Sequence, residues 1–195
     1  MNRDMEKLIE SAIARHREML GEMERDGAGS IAAAANLIVK TLKAGGTVYL
    51  CGNGGSAADA QHIAGEMIGR FMRERRAMAA VALTTDTSVI TSVGNDYGYS
   101  SVFVRQVDGL VRQGDVLWAL STSGGSPNVV EAAELAKKKG AHVLAFTGRK
   151  GSRLEEMADV CFCAADDASC RCQEIHQVAY HIICDLVEAE MSGRQ

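Results

Sequence analysis

From Arg3 to about Arg25, Met5, Leu8, Ile9, Ala12, Ile13, Met19 and Leu20 recur at steps of three and four among charged residues. This is the pattern of a helix with one apolar face. Gly27 and Gly29 follow and predict a break, after which Ser30 stands as an N-cap for a second helix through IAAAANLIVKTLKA that Gly45 and Gly46 end. From there the period changes. Short apolar runs at Thr47 to Cys51, Met78 to Leu83, Val116 to Leu120, His142 to Phe146 and Val160 to Cys163 are each followed by Gly, Ser, Thr or Asp and then by a helical stretch. That rhythm predicts a parallel sheet in an α/β fold. After the third run Ser126 can cap, Pro127 takes the first helical position, and Gly140 closes the helix behind three lysines. A last helix is expected from about Arg171 to Met191, with Ile175, Val178, Ile182, Ile183, Leu186 and Val187 on its apolar side.

The length of 195 residues, at about 150 residues per domain, predicts a single domain over 1–195, in which 1–45 is a helical extension. Composition narrows the partners. Lys plus Arg is 21 against 25 for Asp plus Glu, so no basic surplus exists to neutralise a phosphate backbone, and nucleic acid is not expected as a ligand. The opening MNRDMEKLIESAIARHREM is charged throughout, unlike the apolar core of a signal peptide. No run of about 18 apolar residues predicts a membrane span. A cytoplasmic protein is expected, with its six cysteines as thiols.

Two Gly/Ser-rich segments follow predicted strands, where ligands of open α/β sheets bind and helix N-termini offer unpaired N–H groups. In CGNGGSAADAQH, Gly52, Gly54 and Gly55 let the backbone approach a ligand and Ser56 opens the helix. In STSGGSPN, Ser121, Thr122, Ser123 and Ser126 surround a Gly-Gly turn ahead of a helix. Four hydroxyls and helix-terminal amides make a cradle for a phosphate monoester. Neither segment is a G-x-x-x-x-G-K-[ST] loop or a G-x-G-x-x-G turn, so a small phosphorylated metabolite is expected rather than ATP or NAD.

His62 and Glu66, four residues apart, share one helix face, a spacing that also suits a plain surface pair or two ligands of one ion. The last helix carries Gln173, His176, Gln177 and His181 in an otherwise apolar segment. Gln173 and His181 lie within about 80° of one another on the helical wheel. If the two helices meet, His62, Glu66, Gln173 and His181 supply two imidazoles, a carboxylate and an amide oxygen, a set that zinc tolerates although an amide is an unusual and weak ligand. Cys161, Cys163, Cys170 and Cys172 offer a rival metal array, but their C-x-C spacing does not fit the usual C-x2-4-C knuckle, and buried thiols are the simpler expectation. Tyr97, Tyr99 and Trp118 are read as core or rim residues.

CGNGGSAADAQHIAGE, TSVGNDYG, STSGGSPNVVEAA and RCQEIHQVAYHI together resemble the sugar isomerase domain family. Within it they resemble the members that interconvert sedoheptulose 7-phosphate and D-glycero-D-manno-heptose 7-phosphate. STSG alone marks only the broad family, whereas QH-x3-E combined with QEIH-x4-H is specific. The resemblance covers nearly the whole chain and implies a three-layer αβα fold with a five-stranded parallel flavodoxin-like sheet. It also implies a homotetramer with active sites between subunits, the 1–45 extension serving assembly. Asn53, Gly54, Gly55, Glu66, Asn95, Asp96, Ser121, Thr122, Ser123, Ser126 and Gln173 would contact the sugar phosphate, and Glu66 and His181 would carry the chemistry. His62, Glu66, Gln173 and His181 would hold one zinc ion per subunit.

The same resemblance implies an aldose–ketose isomerase working through an enediol, at the first step of nucleotide-activated heptose biosynthesis, which in some bacteria supplies lipopolysaccharide. The sequence departs from the family pattern in CFCAADDASCRCQEIH, which is short and cysteine-rich, with Cys172 where an aliphatic residue is usual. SAADAQH also resembles a noncatalytic relative of the same fold, an adaptor that binds the bacterial replication initiator. An adaptor predicts loss of the acid/base positions, and Glu66 and His181 are both present.

Overall fold

In the computed structural model, which describes residues 3–193, the five apolar runs form β1 (Val48–Gly52), β2 (Ala80–Ala82), β3 (Val116–Ser121), β4 (His142–Thr147) and β5 (Val160–Cys163). All pair in parallel, in the order β2-β1-β3-β4-β5. The central β3 is buried at every residue, which is why it reads as a continuous apolar run rather than an alternating one. Eight α-helices complete the described residues: α1 (Arg3–Glu22), α2 (Ala28–Lys43), α3 (Gly55–Ile68), α4 (Thr87–Tyr97), α5 (Ser101–Leu110), α6 (Pro127–Lys138), α7 (Arg153–Met157) and α8 (Ser169–Met191). One face of the sheet buries Leu50, Trp118 and Phe146 against Ile38 of α2, Ile63 and Met67 of α3, and Tyr180 and Ile183 of α8. The other buries Leu117, Ala119 and Val143 against Phe103 and Val107 of α5 and Val130 and Ala133 of α6. The result is the expected three-layer αβα sandwich. Of the expected span 1–195, residues 1, 2, 194 and 195 lie outside the described residues.

Two local expectations are corrected. The chain does not break at Gly27 and Gly29 but passes from α1 to α2 through a π-helical stretch, Met23–Gly27, with Ser30 inside α2 returning its hydroxyl to the Gly27 carbonyl at 2.9 Å. A Cβ on Gly27 would stand 3.1 Å from the Phe162 ring and 3.0 Å from Met23. That glycine therefore serves the close packing of the helix on β5 rather than a turn. The second correction is that the helical stretch expected after the second apolar run is divided into two helices, α4 and α5. Asp86 caps α4 by accepting the Val89 N–H at 3.0 Å, and Gly98, at φ +86°, separates the two helices. No helix is long and apolar enough to cross a membrane among the described residues.

Between α3 and β2 the chain forms a strap without regular structure, held by one buried carboxylate. Glu188, 0% exposed, accepts the backbone N–H groups of Phe71 at 2.8 Å, Met72 at 2.6 Å and Arg73 at 2.7 Å, and its Oε1 lies 3.2 Å from Arg75 Nε. Burial by itself would raise the Glu188 carboxyl, but these N–H donors and the Arg75 charge outweigh it and hold it below its ordinary value. The Arg75 guanidinium in turn donates to the carbonyls of Glu66, Met67 and Gly69 at the end of α3, where a cation is favoured. Glu188→Ala would leave Arg75, whose side chain is 3% exposed, buried without its partner. It is expected to lower the unfolding free energy by about 3–5 kcal/mol in urea titration.

His176 is fully buried beside Phe146 and Phe162, with Nε2–H donating to the Thr147 carbonyl at 2.9 Å. Burial depresses its pKa from 6.5 to about 4. As the pH falls from 6.5, the unfolded chain takes up a proton that the folded chain refuses until about 4, so stability declines through that window by about 3 kcal/mol. Urea titrations at stepped pH should show this slope in the wild type and a flatter one in His176→Gln.

Candidate active site

The strand order reverses between β1 and β3, which places the loops following these two strands in one crevice. They are tied together there. Asn53 and Asn128 exchange amide hydrogen bonds of 2.9 Å in both directions, and the Tyr99 hydroxyl donates to Asn53 Oδ1 at 3.0 Å. Tyr99 is thus a rim residue of the crevice, as the sequence suggests. Gly54, at φ +56°, caps α3 in place of the expected Ser56, which is buried in the first turn. A Cβ on Gly55 would lie 2.6 Å from Gln173 Nε2, so the Gln173 amide rests directly on the opening of α3.

In the second loop the Ser121 hydroxyl donates to Ser126 Oγ at 3.1 Å and lies 3.3 Å from Ser123 Oγ, which accepts the Gly125 N–H at 3.2 Å. Thr122 donates to Ser169 at the start of α8, at 3.0 Å. Ser126 occupies the N-cap of α6 but makes no side-chain capping bond. Pro127 has no N–H and the Val129 and Val130 N–H groups already donate to the Ser126 carbonyl at 3.0 Å, so the Asn128 N–H is the first-turn amide left for an anion. Gly124 takes φ +61°, and a Cβ there would lie 2.2 Å from Ser152 Oγ, so the turn admits no larger residue without displacing that side chain. Asn95 and Asp96 are exposed near the end of α4, Asn95 donating to Asp96 at 2.8 Å.

The acid/base candidates converge where α3 meets α8. Ala60, Ile63 and Met67 share one core with Ala179, Tyr180 and Ile183, and the candidate side chains line the polar edge of that contact. His62 Nε2 lies 3.2 Å from Glu66 Oε1 and 3.5 Å from His181 Nε2. One ligand atom from each of these three residues falls within 4.8 Å of the others. Burial lowers the His181 pKa, the neighbouring His62 lowers it further, and Glu66 opposes both; the net direction is down. His181 is therefore a neutral imidazole at pH 7. Phe71 of the strap stacks on its ring, with centroids 5.6 Å apart and planes at 21°. Behind His62, the Tyr180 hydroxyl lies 3.0 Å from Nδ1.

Two imidazole nitrogens and a carboxylate oxygen with this spacing fit a divalent metal of the nitrogen/oxygen-preferring kind. Gln173 is two turns before His181 on α8, and its amide contacts Gly55. His176 faces the core instead, and Gln177 is exposed. The cysteine array gathers no group of three metal-ligating side chains among the described residues. All six cysteines are free thiols, and burial pushes the Cys51 and Cys184 thiols up to about 12. Sequence reasoning missed Asp59, Phe71, Asn128 and Tyr180. Asn128, just after Ser126-Pro127, had the clearest signal, since a polar residue in the first turn of a helix that follows a ligand loop faces the ligand.

A family model for the SIS domain matches residues 13–148. The phosphoheptose isomerase of Akkermansia muciniphila is 51% identical over 166 residues, covering 85% of this chain and 88% of that protein. The chain belongs to the phosphoheptose isomerases of the SIS-domain family. Two solved structures of that family agree with its fold throughout. GmhA, the phosphoheptose isomerase of Neisseria gonorrhoeae, superposes with a TM-score of 0.89 at 41% identity, covering 95% of this chain and 99% of the other. The phosphoheptose isomerase of Francisella tularensis gives 0.91 at 35% identity, covering 96% and 99%. The adaptor alternative is not favoured, since the relatives are isomerases and the acid/base residues stand together.

The contact between Gly55 and Gln173 gives a direct test of the site's geometry. In Gly55→Ala the new methyl meets the end of a flexible side chain, so the unfolding free energy from urea titration should stay within about 1 kcal/mol of wild type. Displacing the Gln173 amide is expected to lower turnover of the sugar phosphate by on the order of tenfold to a hundredfold in a steady-state assay.

Proposed function

We propose that this chain interconverts sedoheptulose 7-phosphate and D-glycero-D-manno-heptose 7-phosphate, the reaction at the head of nucleotide-activated heptose biosynthesis. The observation that carries this reading is the meeting of Glu66, His62 and His181 where α3 and α8 pack together, in a chain that also gathers the Ser121, Ser123 and Ser126 hydroxyls ahead of α6. Moving a carbonyl between C1 and C2 requires a base for the carbon-bound proton and an acid for the oxygens. Glu66 removes the proton from C2 of the aldose, the enediol forms as the carbonyl oxygen gains a proton, and Glu66 returns the proton to C1 as the C2 oxygen loses its own. His181, neutral before the reaction, moves the proton at oxygen.

Ser121, Thr122, Ser123 and Ser126 with the N-terminus of α6 hold the phosphate, and Asn53, Gly54, Gly55, Asn95, Asp96 and Gln173 position the chain of the sugar. Fixing the phosphate holds the reacting carbons near Glu66 and removes part of the entropic barrier. His62, Glu66 and His181, joined by Gln173, would hold a zinc ion, which when bound polarises sugar oxygens. A carboxylate engaged by a metal is a weaker base, so zinc held there would temper the basicity of Glu66.

Assembly as a homotetramer is part of the proposal. Met5, Leu8, Ile9 and Ile13 leave an apolar stripe exposed along α1, at 55%, 72%, 48% and 54%, which a second copy would cover. With sedoheptulose 7-phosphate followed by NMR, Glu66→Gln and His181→Ala should each lose about two to four orders of magnitude in turnover. Near-normal turnover in either variant removes that residue from the chemistry. Chelation should lower wild-type turnover and added zinc should restore it.

A further inference from the structure

His62 is held from behind as well as from the reacting side. Its Nδ1 lies 3.0 Å from the Tyr180 hydroxyl, and that hydroxyl lies 3.4 Å from Asp59 Oδ1. Tyr180 is completely buried, and Asp59 Oδ2 is buried with no partner. Asp59 and His62 are three residues apart on α3, so both side chains lie on the face that meets α8.

A hydroxyl has one proton to give, and a carboxylate can only accept. Tyr180 is the single donor that Asp59 has among the described residues. Were Tyr180 to donate to His62 instead, a partly buried carboxylate would be left with neither oxygen satisfied, the costlier arrangement. The proton therefore runs from Tyr180 to Asp59, and the Tyr180 oxygen accepts from His62 Nδ1–H. Nε2 is then left with its lone pair directed at the space shared with Glu66 Oε1, 3.2 Å away, and His181 Nε2, 3.5 Å away. His62 Nε2 and Glu66 Oε1 are then two acceptors 3.2 Å apart, a pair that a cation satisfies. Histidine ligands are commonly fixed by a carboxylate on the far ring nitrogen; here a tyrosine stands between the two.

We propose that Tyr180 and Asp59 are positioning residues that hold His62 in its Nδ1–H tautomer and keep Nε2 free as a ligand. The proposal rests on the reading of His62, Glu66 and His181 as the reaction centre, but its first readout needs neither metal nor substrate. Metal-free protein labelled with 15N-histidine is examined by two-bond 1H–15N correlation at a pH where the ring is neutral, with His62→Ala to identify the resonance. Wild-type His62 is expected as the Nδ1–H form. Tyr180→Phe, which keeps the ring in the core, should convert it to the Nε2–H form, donating to Glu66.

The second readout is zinc affinity by chelator competition, expected to fall 10- to 100-fold in Tyr180→Phe. Asp59→Asn should move both readouts in the same direction, because an amide NH2 can donate to Tyr180 and turn its hydroxyl towards His62. This isosteric variant carries the test if Tyr180→Phe does not fold. An Nε2–H tautomer in the wild type overturns the proposal, as does a folded variant that keeps both the wild-type tautomer and its zinc affinity to within twofold. Wild-type protein that holds the Nδ1–H form yet does not turn over sedoheptulose 7-phosphate would remove the functional reading and leave this one standing.

Discussion

The close approach of α3 and α8 is what brings His62, Glu66 and His181 together. Small residues permit it: Ala60 and Ala179 are fully buried in the shared core, and Gly55 lets Gln173 lie on the opening of α3. A core contact between two helices ordinarily excludes polar side chains, because each would need a partner in a dry interface. Here the contact is apolar in its middle and polar along one edge, where Asp59, Tyr180, His62, Glu66 and His181 form a chain of polar contacts. Tyr180 belongs to both parts, with its ring in the core and its hydroxyl among the polar groups. A substitution that loosened the apolar part would therefore separate His181 from His62 and Glu66 without touching any of them.

Glu188 extends the same logic to the strap. Burying a carboxylate is unfavourable unless the geometry supplies enough donors, and three consecutive backbone N–H groups with Arg75 do so. The consequence reaches the site by two routes. Phe71, whose N–H is one of those donors, stacks on His181, and Arg75 binds the carbonyl of Glu66 itself. A charge distant from the reacting atoms thereby fixes the ring of one acid/base residue and the backbone of the other.

Much of this was legible in the sequence because the signals are local. The five strands show as short apolar runs, and Pro127 with Gly140 mark both ends of α6. His62 and Glu66 could be placed on one face by their spacing alone, and the motif pairing QH-x3-E with QEIH-x4-H brought in His181 by resemblance. What was not legible depends on contacts between distant parts of the chain. Gly27 looks like a break until Phe162 is seen against it. Asp59 and Tyr180 look like an ordinary helix acid and an ordinary core aromatic, because nothing in either segment announces the other. The strap at 69–79 has no periodicity, since its order comes from Glu188 in the last helix.

The two ends of a sugar phosphate make different physical demands, and the proposed site meets them with different materials. A phosphate carries its charge throughout the reaction, so it is suited by fixed donors: hydroxyls and helix-terminal amides that do not change protonation near pH 7. The carbons being isomerised need groups that gain and lose protons, and these are better placed on side chains whose neighbours can be tuned separately. In the proposed function the loop after β3 supplies the first kind, and the α3–α8 edge supplies the second. Because the Asn53–Asn128 pair ties the loop after β1 to the opening of α6, and α3 begins in that same β1 loop, the sheet sets where the hydroxyl loop stands relative to the start of α3.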